Sequence, residues 1–293
     1  MSNRAILFGM DVPTLIGRSR DPAESARTAE RLGFDFVSVN DHVLGGGPRY
    51  EGWTLLASLA TSTDRVRLAS RVLGVPYRHP ALVAKMAETL DRLSGGRLIL
   101  GLGAGSAEAE YAAMGLETGG ALERAQSLEE AVEIIRGLWS STPFTKHGQR
   151  YQVADAELLP KPEHEIPIWL GTVGRRGLDL VGRSGDGWIP SLAFAPPERV
   201  PAMMARIQAA AEGAGRDPDR IALIYNLVVS FTAAPEAELV SGPPAAVAER
   251  LIEFVRLGFT GFNFILEKAD DPDESEQVER LAREVIPVVR AAT

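Results

Sequence analysis

The chain has 293 residues, with 31 Lys and Arg against 39 Asp and Glu, a formal net charge of −8, 45% hydrophobic residues and no cysteine. The missing cysteines exclude disulfides, thiolate nucleophiles and Cys-held zinc or iron–sulfur centres, and the acidic balance argues against bulk binding to nucleic acid, which needs a basic surface. No apolar run reaches the length of a membrane span, and the start MSNRAILFGMDVP has no basic segment leading into a long apolar one, so a cytoplasmic protein without a membrane partner is expected.

Short apolar runs alternate with longer amphipathic ones. ILFGMDV reads as a strand and SARTAERLGF as the helix behind it; FVSVND, a glycine-rich loop and WTLLASLATST form the second pair. VRLASRV precedes the helix PALVAKMAETLDRLSG, which starts at a proline and stops at Gly95-Gly96, as helix punctuation should. RLILGLG is followed by SLEEAVEIIRGLW, apolar at three-and-four spacing. The piece from Pro143 to Glu165 breaks the rhythm and is read as an insertion with room for a small hairpin. IPIWLG, GWIP, IALIYNLVVS and GFNFIL supply four further strands, with helices at RGLDLVGRS, PERVPAMMARIQAAAEGAG, PAAVAERLIEFVRLG and ESEQVERLAREVIPVVRAA. Continuously apolar strands suit a parallel sheet, and roughly eight strand–helix pairs in one series favour closure. The expectation is an α/β protein, a (β/α)8 TIM barrel spanning 1–293 as one domain, with an insertion between helix 4 and strand 5.

Working residues of such barrels stand at the C-terminal ends of the strands. Asp41-His42 closes strand two; a histidine there can donate a hydrogen bond or move a proton near neutral pH, or merely close a loop. Gly103-Ala104-Gly105 closes strand four, where glycine lets a flat ring or phosphate come close; a tight turn explains the same residues, and the spacing is not the GxGxxG fingerprint. Thr172-Val173-Gly174-Arg175-Arg176 closes strand five as a glycine turn into a helix N-terminus beside two arginines, a pattern that suits an anion. Lys268, flanked by Glu267 and Asp270-Asp271, reads as a loop lysine. Trp53 and Trp188 could line a ring pocket, while Trp169 reads as core. His147 and His164 fall in the insertion and are expected to be exposed. No HxH follows the first strand, so no metal site is expected.

Several ordered motifs carry a resemblance. SRVLGVPYRHPALVAKMAETLDRLSGGRLILGLGAG resembles the third and fourth strand region of the luciferase-like monooxygenases, closest to the branch using the deazaflavin coenzyme F420. ERLGFDFVSVNDHV, EAEYAAMG, ERAQSLEEAVEIIRGLW, PKPEHEIPIWLGTVG, SGDGWIPS and AERLIEFVRLGFTGFNFIL continue it over nearly the whole chain. The resemblance implies an oxidoreductase that transfers a hydride between coenzyme F420 and a small organic substrate. A reduced-FMN monooxygenase using oxygen is the alternative, and a non-catalytic cofactor-binding protein the second; a homodimer is the candidate assembly. It further implies His42, with Asp41 nearby, at the ring edge. Arg71-Val72 would be a cis non-prolyl peptide in a bulge behind the ring. Gly103, Ala104 and Gly105 would run along the ring or ribityl chain, and Thr172, Val173, Gly174 and Arg175 would cradle the phosphate. Sugar-phosphate dehydrogenases of this branch carry a glutamate where this chain has Ser106, and a lysine is missing after Trp188-Ile189-Pro190, so that particular activity is not expected. The glycine run Gly45-Gly46-Gly47 or the Pro143–Glu165 insertion is the candidate lid over the mouth.

Overall fold

The computed structural model describes residues 5–17, 21–231, 238–266 and 274–293. Eight strands close a parallel ring: β1 Leu7–Asp11, β2 Phe36–Val39, β3 Arg67–Ser70, β4 Leu98–Gly103, β5 Ile168–Gly171, β6 Gly187–Trp188, β7 Ala222–Ser230 and β8 Gly261–Ile265. The closure is the pairing of β8 with β1, with Gly9 opposite Asn263. Helices follow the strands: α1 Pro22–Arg31, α2 Gly52–Ser62, α3 Pro80–Ser94, α4 Ala121–Ser140, α5 Arg175–Ser184, α6 Val200–Gly213, α7 Pro244–Arg256, and a closing helical run that starts at Glu274. This is a TIM barrel, as the alternation predicts.

The period-two alternation of the strands sorts residues to two sides. Phe8, Val37, Leu68, Leu98, Leu100, Ile168, Leu170, Phe262 and Phe264 face the helices and join the large outer core. Phe36, Ala69, Ile99, Trp169, Ile189, Ala222 and Ile224 fill the inside of the ring. Phe36 and Trp169 meet edge to face there, with ring centroids 5.3 Å apart. Such rings fit because their neighbours have no side chain: a Cβ on Gly9 would stand 2.1 Å from the Phe36 ring, and one on Gly187 2.4 Å from Trp169. Trp169 is therefore core, as expected.

The caps follow the chemistry of the sequence. Asp21 accepts from the Ala23 N–H ahead of Pro22 at the start of α1, and Gly95 ends α3 with φ 72. The closing run is not one regular helix. It loosens into a π turn at Leu281–Val285 before Ile286–Ala292, because Pro287 has no N–H to give and its ring crowds the preceding turn. Three elements were not anticipated: the short helix Glu108–Ala113, and the short strands Leu73–Gly74 beside β4 and Leu239–Ser241 beside β7.

The insertion between α4 and β5 does hold a hairpin, Phe144–His147 with Gln152–Ala156. It packs against α4 and α3, and its tip also reaches the loop after β3, where the Tyr151 hydroxyl lies 3.4 Å from the Val75 carbonyl. The buried Glu130 of α4 accepts the backbone N–H groups of Gln149, Arg150 and Tyr151 at 3.0, 2.9 and 3.0 Å, which pins the tip to the helix. The returning arm is tied to α3 by Lys85 to the Leu159 carbonyl and Arg92 to the Lys161 carbonyl. His164 is exposed, as expected, and pairs with the buried Asp91 at 3.0 Å. Lys268, Glu267, Asp270 and Asp271 lie outside the described residues.

Candidate active site

The C-terminal strand ends bring together the loops after β2, β3, β4 and β5. Asp41, the first residue after Asn40, is buried and turns to the loop that leads into α3. Its carboxylate takes both terminal nitrogens of Arg78, at 2.8 and 2.9 Å, and the Gly74 N–H at 3.0 Å. Burial lifts its pKa above the ordinary carboxylate range, with Arg78 and Gly74 pulling the other way. Arg78 also reaches Glu51, the residue that caps α2 through the Trp53 and Thr54 N–H groups. Asp41 thus clamps the second loop to the third, with both oxygens engaged by three donors.

His42 is different. Its ring is exposed at the mouth, and Nδ1 lies 3.1 Å from Oε2 of Glu110, which is buried in the short helix after β4. The other oxygen of Glu110 accepts the Val43 and Leu44 N–H groups. Burial acts to raise the Glu110 pKa, but the Leu44 N–H, His42 and the Val43 N–H outweigh it and hold the carboxyl below its usual range. A carboxylate beside Nδ1 favours the tautomer with hydrogen there and leaves Nε2 toward the mouth. Glu110 was missed in the sequence. The available signal was an acidic residue one helical turn beyond Ser106, in EAEYAAMG.

Beyond β3 the Arg71–Val72 peptide is cis, as the resemblance implies. Val72 turns into the ring, and its methyl groups would lie 3.1 Å from a Cβ on Gly101, 2.6 Å from one on Gly103 and 3.0 Å from one on Gly171. Gly103 is therefore glycine because Val72 occupies its inner face. Gly105, with φ 85, is glycine for its backbone and for Tyr111, whose hydroxyl would meet a Cβ at 2.7 Å. Ala104 between them is half-exposed. Burial pushes the Tyr111 hydroxyl up to about 12, so it is a neutral packing partner here.

At the end of β5, Thr172 and Val173 are half-buried while Gly174 and Arg175 are exposed. Gly174 is the N-cap of α5 and offers no side-chain hydrogen bond, so the first-turn N–H groups have no intrahelical acceptor. A Cβ on Gly174 would meet nothing within 4 Å, which leaves open space at the helix start. That space, the N–H groups and Arg175 fit a phosphate. Trp188 does not line a ring pocket: it is fully buried, stacks on Phe259, and donates through Nε1 to the Thr172 carbonyl at 2.7 Å. It holds the cradle from behind. Trp53 is half-buried against the outer core. Gly45, Gly46 and Gly47 all have positive φ and follow the exposed Leu44 at the rim, so the glycine run does stand at the mouth.

A closed parallel barrel with a histidine–carboxylate pair and a glycine-led helix start at its mouth has the architecture of the TIM-barrel class. The profile of the luciferase-like monooxygenase family matches residues 9–241, and the chain belongs to that family. An F420-dependent glucose-6-phosphate dehydrogenase from Microbacterium testaceum is 32% identical over 88% of this chain and 81% of its own length. Another so named, from Beutenbergia cavernae, is 30% identical over 90% of this chain and 91% of its own. Among solved structures, an F420-dependent secondary alcohol dehydrogenase in complex with an F420–acetone adduct superposes with a TM-score of 0.85 at 22% identity, covering 97% of this chain and 99% of that one. A coenzyme F420-dependent tetrahydromethanopterin reductase from Methanopyrus kandleri gives 0.79 at 20% identity over 97% and 99%. These two likenesses carry the fold. No helix among the described residues is long and apolar enough to cross a membrane.

Proposed function

We propose that this protein is a coenzyme F420-dependent oxidoreductase that transfers a hydride between the deazaflavin and a small organic substrate. The observation that carries this reading is the identity of 32% over 88% of the chain to a dehydrogenase of that cofactor class. The mouth supports it, with open space at the Gly174 helix start and a histidine whose Nδ1 is held by Glu110. When bound, the deazaflavin supplies a ring carbon that gives or takes a hydride and activates oxygen poorly.

The chain's own residues then have distinct tasks. Thr172, Val173, Gly174 and Arg175 hold the cofactor phosphate through backbone N–H groups and the guanidinium. Arg71-Val72 forms the bulge behind the ring, with Val72 as its cushion, and Gly103, Ala104 and Gly105 run beside the ring. His42 moves or holds a proton at Nε2, with Glu110 keeping Nδ1 hydrogen-bonded. Asp41 serves as the tie that positions His42. Parallel fluorescence titrations with F420 and FMN test the assignment. F420 should bind at least about tenfold tighter, a gap of about 1.4 kcal/mol; FMN bound in preference would move the protein to the monooxygenase reading. His42→Ala should keep F420 affinity within a few-fold while turnover falls by about 10²-fold or more; full turnover in that variant would remove His42 from the chemistry.

A further inference from the structure

Arg71 has a feature that the cofactor reading leaves unused. Its backbone belongs to the β3 bulge, yet its side chain crosses the inside of the mouth, over Ser38 of β2, to Asp11 at the end of β1. Only Nε is engaged, donating to Asp11 Oδ1 at 2.7 Å, with Arg71 14% and Asp11 4% exposed in their side chains. Neither terminal nitrogen has a partner among the described residues. The tether itself is fixed, because the Ser38 hydroxyl lies 2.9 Å from the same Asp11 oxygen and 3.0 Å from the amide of Asn263. Below it, Asn263 Nδ2 and Asn226 Oδ1 are buried without a partner among the described residues, so the floor of the mouth is polar.

A guanidinium presents N–H donors in a rigid fork that fits a carboxylate or phosphate on two bonds. Glu88 and Glu130, on the wall, have both oxygens engaged. Here the outer edge of the fork keeps both terminal nitrogens free of a protein partner among the described residues, on a side chain that is 14% exposed and so open to a ligand from the mouth. Asp11 takes up part of the positive charge and holds the fork in one orientation, which lowers the entropy lost when an anion docks. We propose that the terminal nitrogens of Arg71 are an oxyanion subsite, and that the substrate is an alcohol or carbonyl compound carrying a carboxylate or phosphate group. This deepens the proposed function and rests on it.

The test uses matched ligand pairs with the F420-loaded protein, read by calorimetry and as competitors of turnover: lactate and malate against 2-propanol, and glucose 6-phosphate against glucose. At least one anion should bind tenfold or more tightly than its neutral counterpart, and the arm that shows the preference identifies the group. Arg71→Met should erase that preference. Since Arg71→Met leaves Asp11 buried alone, Arg71→Lys serves as the second variant; it keeps a charge beside Asp11, loses the fork, and should reduce the preference by about tenfold. No preference in any pair, or one that survives both substitutions, overturns the subsite. A tenfold loss of F420 affinity in Arg71→Lys with the anion preference intact would assign the fork to the cofactor and overturn the substrate class. Failure of the unsubstituted protein to bind F420 is a separate result, which would remove the cofactor reading while the calorimetric anion preference of the cofactor-free protein still stands or falls by itself.

Discussion

The wall and base of the barrel treat charge differently from its mouth. On the wall and base, carboxylates are spent on donors that hold the fold. Glu130 takes three backbone N–H groups from the hairpin tip. Glu30 takes those of Asp64, Arg65 and Val66 at 3.0, 2.6 and 2.9 Å, and Glu88 takes Lys85 and Arg92. Asp91 takes the Leu98 N–H and His164. At the mouth, the Arg71 fork, His42 Nε2 and the first turn of α5 keep open positions. Spent groups hold a fold together; half-filled groups held in place by a spent neighbour are what a ligand can use. Asp41 shows that proximity to the mouth is not the criterion, because it stands beside His42 and belongs to the spent kind.

Four substitutions or conditions sharpen or break this contrast. The largest effect is expected for Glu130→Ala, which leaves three N–H groups without their acceptor and should cost about 3 kcal/mol or more in chemical denaturation. Its cofactor affinity should stay within twofold, and a parallel loss of affinity would tie the hairpin to the site and dissolve the contrast. Gly174→Val is the converse. Its φ of −76 and the free space around its Cβ make the substitution compatible with the fold, so stability should hold while affinity for the phosphorylated cofactor falls about tenfold, or about 1.4 kcal/mol. An unchanged titration would remove the phosphate from this turn.

The third concerns acid. Glu30, Glu88 and Glu130 have folded pKa values held below the ordinary range; burial opposes this, but the backbone N–H groups, or Lys85 and Arg92 at Glu88, outweigh it. A depressed folded pKa means that the unfolded chain binds protons first as pH falls. Their stabilisation is therefore complete above the unfolded carboxylate value of about 4.3 and is lost below it, through the lower folded values. Denaturation midpoints should decline from about pH 5 downward, and Glu30→Gln should flatten that decline; an equal slope in both proteins would mean that the Glu30 cap carries no linkage. The smallest effect is expected for His164→Ala. The histidine is exposed, and Asp91 keeps the Leu98 N–H at 3.3 Å, so the cost should be under about 1 kcal/mol. A larger loss in thermal melts would make His164 a main support of the base.

Much of the site was legible because strand ends are visible as the points where apolar runs stop. Asp41, His42, Gly103 and Gly174 were placed at the mouth on that ground alone, and the cis bond at Arg71–Val72 followed from resemblance. Roles were less legible than places. Nothing local distinguishes Asp41, which is spent on Arg78, from His42, which is not, since the deciding partner is 37 residues away. Glu110 is not marked by any strand end, since the carboxylate that reaches His42 stands one helical turn beyond Ser106. Trp188 looked like a ring-pocket residue only while the side of β6 that it occupies was unknown.

The amino-acid sequence by itself determined the alternation of strands and helices, the closed barrel, the caps at Asp21 and Gly95, and the glycine turn before α5, because periodicity and backbone preference are properties of neighbouring residues. Only the tertiary structure decided which polar groups are used up. The hairpin packs against α4 because Glu130 holds its tip, Gly103 and Gly171 are bare because Val72 of another strand fills their space, and Arg71 keeps an open fork because Asp11, two strands away, takes only Nε. Hydrogen-bond saturation depends on partners that the chain brings together from distant positions, so it is written in the folded arrangement and not in any single stretch of sequence.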